Sequence, residues 1–319
     1  MQVCAVFLYN RAADMTAGII YIIMREWNET LTDLFESLRE PMDMPNPHFP
    51  IKVHRTTFNE NGETLFTSHW HEHLEFLYFV SGEAIIECGG TAIHAAEGDL
   101  IVVNSNELHS GISMSDHLFY YALIADVSLL HSQSVDDAET KFITPMLQNR
   151  LLLHNHIRGD KLASACMLAI IHELEHREFG YELAIKSELY RLLTLLLRSH
   201  VATVLTENES DERLKNIERF APIFSYIDDN YQEALTVEQL SDMAGLSRYH
   251  FSRLFKELSG KTVTEYVTAT RLNQADHLLR HTSLTVSEIA AATGFSDIYY
   301  FSRTFKRNKK VSPSSLRRN

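Results

Sequence analysis

The chain has 319 residues, 45% hydrophobic and 22% charged, which is enough for two domains and too much for one comfortable core. Its three cysteines, Cys4, Cys88 and Cys166, lack CxxC spacing, which argues against a disulfide framework or a cysteine zinc site and fits a reducing cytoplasm. A net charge of −13 would exclude nucleic acid if it were evenly spread, but residues 211–319 hold 16 Lys/Arg against 13 Asp/Glu, and from Lys261 onward the count is 10 against 4. The acidic front repels phosphate, so only the tail should lie on DNA.

No stretch approaches the ~20 apolar residues that span a bilayer, so no membrane partner is expected. Ile19, Ile20, Tyr21, Ile22 and Ile23 form a short apolar run closely flanked by Arg11, Asp14 and Arg25, a poor secretory signal. Residues 1–23 are left unassigned, with the native start expected at Met24 or nearby. Leu31, Leu34, Phe35 and Leu38 predict a helix over 27–38, stopped by Pro41, and Pro45, Pro47 and Pro50 make a stiff connector.

From 51 to about 130 the period becomes that of strands. Runs at 51–58, 65–70, 74–80, 84–88, 100–103 and 119–125 are separated by Asn61-Gly62, Ser81-Gly82, Gly89-Gly90 and Gly98-Asp99. Short strands at this spacing predict a sandwich or barrel, and residues 24–150 are assigned to it. If the alternation holds, Phe66, Trp70, Phe76 and Tyr78 line its interior. After Asp126 the strands should stop.

The sharpest chemistry in this domain is His69-Trp70-His71, then Glu75, then His109. Two His at i, i+2 share one face of a strand, and the acid and the later His complete a set of three imidazoles and one carboxylate suited to a first-row divalent metal. Three readings stay open: a metal site, an effector pocket without metal, and a structural polar network. His172-Glu173-Leu174-Glu175-His176 fits H-E-x-x-H on a helix, but Glu175 is charged where such peptidases are apolar and no third His follows at metzincin spacing, so no catalytic residue is assigned there.

Residues 161–179 and 181–205 read as two long helices hinged at Gly180, with an apolar face of Leu189, Leu192, Leu193, Leu196 and Leu197. A second copy of the chain is the simplest partner for that face, so 151–210 is assigned as a helical dimerisation and linker segment; the alternative is a hairpin lying on its own barrel. Polar 206–212 should be the interdomain linker.

Residues 211–319 are a doubled unit. Thr236 and Thr285 lie 49 residues apart, as do Gly245 and Gly294, and each pair opens a helix, a glycine turn and a second helix. In the first copy Phe251, Leu254, Phe255 and Leu258 fall on one face; in the second Ile298, Phe301 and Phe305 should point inward. The opposite stripes are Tyr249, Ser252, Arg253 and Lys256, and Tyr299, Ser302, Arg303 and Lys306, with Arg248 adjoining the first. Arg takes a guanine edge bidentately, and Tyr, Ser and Lys hold phosphate or a thymine methyl. A helix of about 18 residues from Thr262 would span about 27 Å, close to the ~34 Å between successive major grooves on one face of B-DNA.

The tail resembles the AraC/XylS family of bacterial transcription regulators, through Ala290, Gly294-Phe295-Ser296-Asp297, Tyr300-Phe301-Ser302-Arg303, Phe305-Lys306 and Ser312-Pro313, with Tyr266, Arg271, Ala275 and Leu279 in the connecting helix. Lys310, Leu316 and Val263 depart from that pattern. The front domain resembles a cupin barrel, with His69-x-His71, Glu75 and Gly82 at first-motif spacing, then Gly98 and His109, while Asn104 and Asn106 replace a usual Pro and Gly. The resemblance implies an α+β chain: a cupin-like sensor barrel, a helical dimerisation segment and an all-α double helix-turn-helix domain. It implies a cytoplasmic, nucleoid-associated homodimer that binds promoter DNA, answers to a sugar or other metabolite, and engages RNA polymerase if it activates. A divalent metal is the one cofactor the residues admit, and a metal-dependent cupin enzyme fused to a DNA-binding tail is the rival reading.

Overall fold

The computed structural model describes residues 39–131, 136–309 and 311–317. The expectations for residues 1–23 and for a helix over 27–38 lie outside the described residues.

Strands β1 (Ile51–Phe58), β2 (Thr64–His69), β3 (Leu74–Ser81), β4 (Glu83–Cys88), β5 (Thr91–Ala96), β6 (Leu100–Val103), β7 (His109–Ser113) and β8 (Leu118–Ala125) make two antiparallel sheets. One runs β2-β7-β4-β5; the other runs β1-β8-β3-β6 and gains β10 (His156–Ile157) at its edge. Leu77, Phe79, Ile101, Val103, Leu118 and Tyr120 from one sheet pack against Ala84, Ile86, Cys88, Ile93 and Ala95 from the other. The expected strands are present, but strands do not stop at Asp126. β9 (Leu151–Leu153) pairs with β11 (Val201–Val204), and β10 extends the barrel sheet. These additions are two to four residues long, too short to show a period.

Side-chain parity along β3 also differs from expectation. Leu77 and Phe79 face the interior, while Phe76 and Tyr78 face outward under the helices, as strict alternation from the inward Glu75 demands. Phe66 does pack against the interior cluster.

Helices α1 (Lys161–His176) and α2 (Tyr181–Ser199) form a hairpin, turned at Gly180 with φ of 89°. Leu189, Leu192, Leu193 and Leu196 are buried with Ile170, Phe76, Leu123 and Val102, so the leucine face covers the molecule's own barrel. At about 1.5–3 kcal/mol per buried Leu, that face is spent within one chain, and the inference of a dimer from it fails. The hairpin's exposed apolar residues are others, Leu162, Leu168, Phe179 and Leu183.

Residues 206–212 are likewise not a loose linker. Thr206 and Glu209 form a reciprocal capping box that starts α3 (Glu207–Asn230), a helix that runs straight into the tail. The tail continues with α4 (Val237–Met243), α5 (Arg248–Ser259), α6 (Val263–His281), α7 (Val286–Ala292) and α8 (Ile298–Lys309). Capping boxes at Thr262/Glu265 and Thr285/Glu288 fix the starts of α6 and α7. Two cores result. Phe220, Phe224, Leu240, Phe251, Phe255 and Tyr266 build the first; Leu272, Ala275, Leu279, Ile289, Phe301 and Phe305 build the second.

Candidate nucleic-acid interface and histidine cluster

Phe251, Leu254 and Phe255 sink α5 into the first core, and Phe301, Thr304 and Phe305 sink α8 into the second. The opposite faces are therefore free. Tyr249 is 84% exposed and Tyr299 78%. Arg248, Ser252, Arg253 and Lys256 on α5, with Arg303 and Lys306 on α8, are exposed too, and Ser302 is half-buried. Ile298 departs from expectation: at the first turn of α8 it is 37% exposed, because the core begins one turn later at Phe301. Arg253 meets Glu257 at 3.5 Å and Arg248 meets Glu238 at 3.9 Å, loose exposed pairs that a phosphate or base can displace.

The histidines converge. β2 pairs with β7 so that His69 lies opposite His109, their ring centroids 4.1 Å apart, and His71 is 5.1 Å from His109. Ligand atoms of His69, His71 and His109 all lie within 4.8 Å of one another. His71 and His109 are each 1% exposed. Glu75, buried on β3, brings Oε2 to 3.4 Å from His71 Nε2 and 3.1 Å from His109 Nε2. The second contact sets a fully buried imidazole nitrogen beside a buried carboxylate oxygen. His69 Nε2 instead faces Glu40 at 3.1 Å.

Burial opposes ionisation of Glu75, but contact with His109 and His71 outweighs it and holds the carboxyl far below its ordinary range. Burial pushes the His109 imidazole down. It opposes charge on His69 as well, yet Glu40 and the Thr67 carbonyl raise that ring above its ordinary value. Phe66 edges against both His69 and His109 at 5.6 and 5.7 Å. Asn106 takes a left-handed φ of 57°, a conformation Asn tolerates where Gly is usual, and Asn104 binds Leu153 through both its amide atoms. The two sequence departures are thus absorbed locally. His172 and His176 sit 4.0 Å apart between ring centroids on exposed α1, away from this cluster.

Two partners were not legible as site residues: Glu40, which faces His69, and Glu107, whose carbonyl accepts from His109 Nδ1 at 2.7 Å, sit in irregular segments with no period. Trp70 was legible in principle: if His69 and His71 share the inward face, the residue between them must point the other way. It does, and lies buried in the first core of the tail beside Phe220, Phe224 and Tyr266, not in the barrel. Ser68 and Tyr266 line one small recess nearby. The β4–β5 turn completes this seam. Glu87 pairs with Lys261, and Gly90 lies so close to Gly260 that a Cβ on either would overlap the other's backbone.

Residues 56–193 match the family described as an AraC-like ligand binding domain, and residues 240–319 match a helix-turn-helix domain. The chain is an AraC-type transcriptional regulator. YdeC of Bacillus subtilis (strain 168), an uncharacterized HTH-type transcriptional regulator, is 24% identical over 289 residues, covering 89% of this chain and 97% of that protein. The transposon Tn10 TetD protein of Escherichia coli is 35% identical over 111 residues, 35% of this chain and 80% of TetD. Among solved structures, unsaturated fatty acid bound ToxT from Vibrio cholerae aligns with 86% of this chain and 96% of its own, at 16% identity and a TM-score of 0.41. As an AraC-type regulator the chain joins a ligand-binding barrel to a DNA-binding tail.

Proposed function

We propose that this AraC-type regulator is a one-component switch in which a small molecule bound at the histidine end of the barrel alters how the tail holds promoter DNA. The observation that carries the proposal is continuity: the strand that supplies His69 inserts the next residue, Trp70, into the core of the first helix-turn-helix unit. A ligand shifts an equilibrium only by binding one arrangement more tightly than another, and this seam offers an element both sites can bias. DNA contact falls to Arg248, Tyr249, Ser252, Arg253 and Lys256, and to Tyr299, Ser302, Arg303 and Lys306. The effector, a sugar or other metabolite, is assigned to the pocket of His69, His71, Glu75 and His109.

The regulator acts in the cytoplasm at the nucleoid, as a homodimer, and the surface offered for that contact is the hairpin's exposed apolar side chains, Leu162 and Leu168 on α1, Phe179 in the turn and Leu183 on α2. Contact with RNA polymerase follows if it activates. The test is selection of a DNA site from a random pool with the full chain, followed by a metabolite screen for changes in affinity for that site. His71→Ala and His109→Ala should lose the response and keep site affinity. An unchanged response in both variants would remove the effector from this pocket.

A further inference from the structure

Several imidazoles among the described residues turn to acids: His94 meets Glu83 at 3.1 Å, His156 meets Asp99 at 3.0 Å and His200 meets Asp160 at 3.5 Å. His172 and His176 do not, although Glu173, Glu175 and Glu178 are their neighbours in sequence. Their rings lie against each other instead, centroids 4.0 Å apart and planes inclined by 34°, exposed at the C-terminal end of α1. His176 Nδ1 meets the His172 carbonyl at 2.8 Å. A carbonyl oxygen only accepts, so this nitrogen donates, and the neutral ring keeps its lone pair on Nε2. An Nδ1–H held by a backbone carbonyl is also the outer bond that orients metal-bound imidazole. Two His at i, i+4 share one helix face, the spacing that offers both rings to a single cation. The place favours a cation as well, because the last carbonyls of a helix form the negative end of its dipole.

Two imidazoles leave a four-coordinate ion half dressed, and among the described residues no third His, Cys or carboxylate is grouped with this pair. A second copy of the chain can supply what is missing. Leu168 lies one turn before His172 on the same exposed ridge of α1, and Phe179 and Leu183 follow across the turn. The pair therefore sits within the apolar surface offered above for the homodimer. In a two-fold contact a patch meets itself, so a pair close to the axis meets its own counterpart.

We propose that His172 and His176 chelate one first-row divalent ion, and that the same pair from a second copy fills its other two positions. Ligation by imidazole alone suits Zn²⁺, Cu²⁺ or Ni²⁺ over Mg²⁺ or Ca²⁺. Four protein ligands make a closed, structural site with no position left for a reacting water, so H-E-x-x-H spacing here serves assembly and not hydrolysis. The bridge rests on the homodimer proposed above; chelation by the pair does not.

The test uses the full-length chain without an affinity tag, in Zn²⁺ or in chelator, with bound metal measured by equilibrium dialysis and mass by sedimentation equilibrium. The double variant His172→Ala, His176→Ala should bind about half an equivalent of Zn²⁺ per chain less than the parent, one ion for every two copies. Zn²⁺ should tighten dimerisation of the parent by at least about 10-fold, the factor that loss of even an outer metal contact costs, and should leave the variant unchanged. His277→Ala with His281→Ala removes an exposed pair of the same spacing on α6, rings 4.6 Å apart, and should keep the zinc-dependent mass. Equal melting temperatures of parent and double variant in chelator show that the exposed pair was replaced without loss of fold. Equal zinc in parent and double variant overturns the site. Zinc lost from the variant with no zinc-dependent mass in the parent overturns the bridge. A parent equally dimeric in zinc and in chelator leaves the homodimer standing without the bridge, and a parent monomeric in both removes the two together.

Discussion

The two helix-turn-helix units are near copies in sequence and unequal in surroundings. Each buries a pair of phenylalanines, Phe251 and Phe255 or Phe301 and Phe305, and each turns a tyrosine and an arginine outward. Yet the first core takes in Trp70 and, at its edge, Leu108 from the barrel, whereas the second core is built from residues of the tail. Gly260 ends α5 against the backbone of Gly90. The second unit's link to the barrel is polar and lies at its margin, where Arg280 at the end of α6 reaches Glu60 and the Asn61 carbonyl. Duplication supplied two readers of DNA, and the barrel holds the apolar core of one. Control should therefore fall on the first unit, with the second acting as a constant anchor.

Trp70→Ala tests this hardest. Truncating a buried aromatic ring costs about 3–5 kcal/mol, read as a fall in urea midpoint, and Phe301→Ala should cost a similar amount in the second core. The two should differ in linkage. Trp70→Ala should make DNA affinity indifferent to effector, and Phe301→Ala should weaken binding while any response persists. Equal behaviour in both would break the contrast.

Next in size are the arginines. Arg253→Ala and Arg303→Ala should each cost about 1–3 kcal/mol at a selected site and relax base preference there. If the seam restrains the first unit, the cost of Arg253→Ala should depend on effector and that of Arg303→Ala should not. Uniform losses on selected and random DNA would mean that both side chains touch phosphate alone. A smaller effect is expected from Lys261→Ala. Its pair with Glu87 is part-exposed, so stability should change by no more than about 1 kcal/mol, with a shift in the footprint of the first unit alone.

Much of this was legible in the sequence because periodic burial writes itself into periodic residues. The amphipathic α5 and α8, the connecting α6 and the main barrel strands all carry that pattern, and the inward pairing of His69 with His71 follows from strand alternation. What failed did so for nameable reasons. A leucine face says that something covers it, and here the cover is the chain's own barrel. Polar 206–212 looked like a linker because capping residues are polar; Thr206 and Glu209 are a helix start. Trp70 was misplaced because alternation was counted from the even-numbered aromatics, although His69 and His71 had already taken the inward face on either side of it. Contacts between domains, such as Gly90 against Gly260, have no local signal.

The joint between the two units gives the smallest and most specific prediction. Thr270 divides α6 into a half packed in the first core, through Tyr266 and Val267, and a half packed in the second, through Leu272 and Ala275. Arg271 ties the joint by donating to the Tyr231 and Glu233 carbonyls while lying over the Phe295 ring. Asp228 on α3 faces this point, 3.4 Å from Thr270 Oγ1, and burial, with the charge of Asp229 added, pushes its carboxyl up to about 7. The folded form therefore holds a proton that the unfolded chain releases near its ordinary 3.8, so stability falls as pH rises between those values and stays depressed above about 7. Asp228→Asn removes the titration. It should raise the melting temperature at about pH 8, by less and less as pH falls towards 3.8, and leave it unchanged only well below that value, where both states of the parent are protonated. A loss of stability at pH 8 would mean that the carboxylate is satisfied at the joint and helps to hold the two units together.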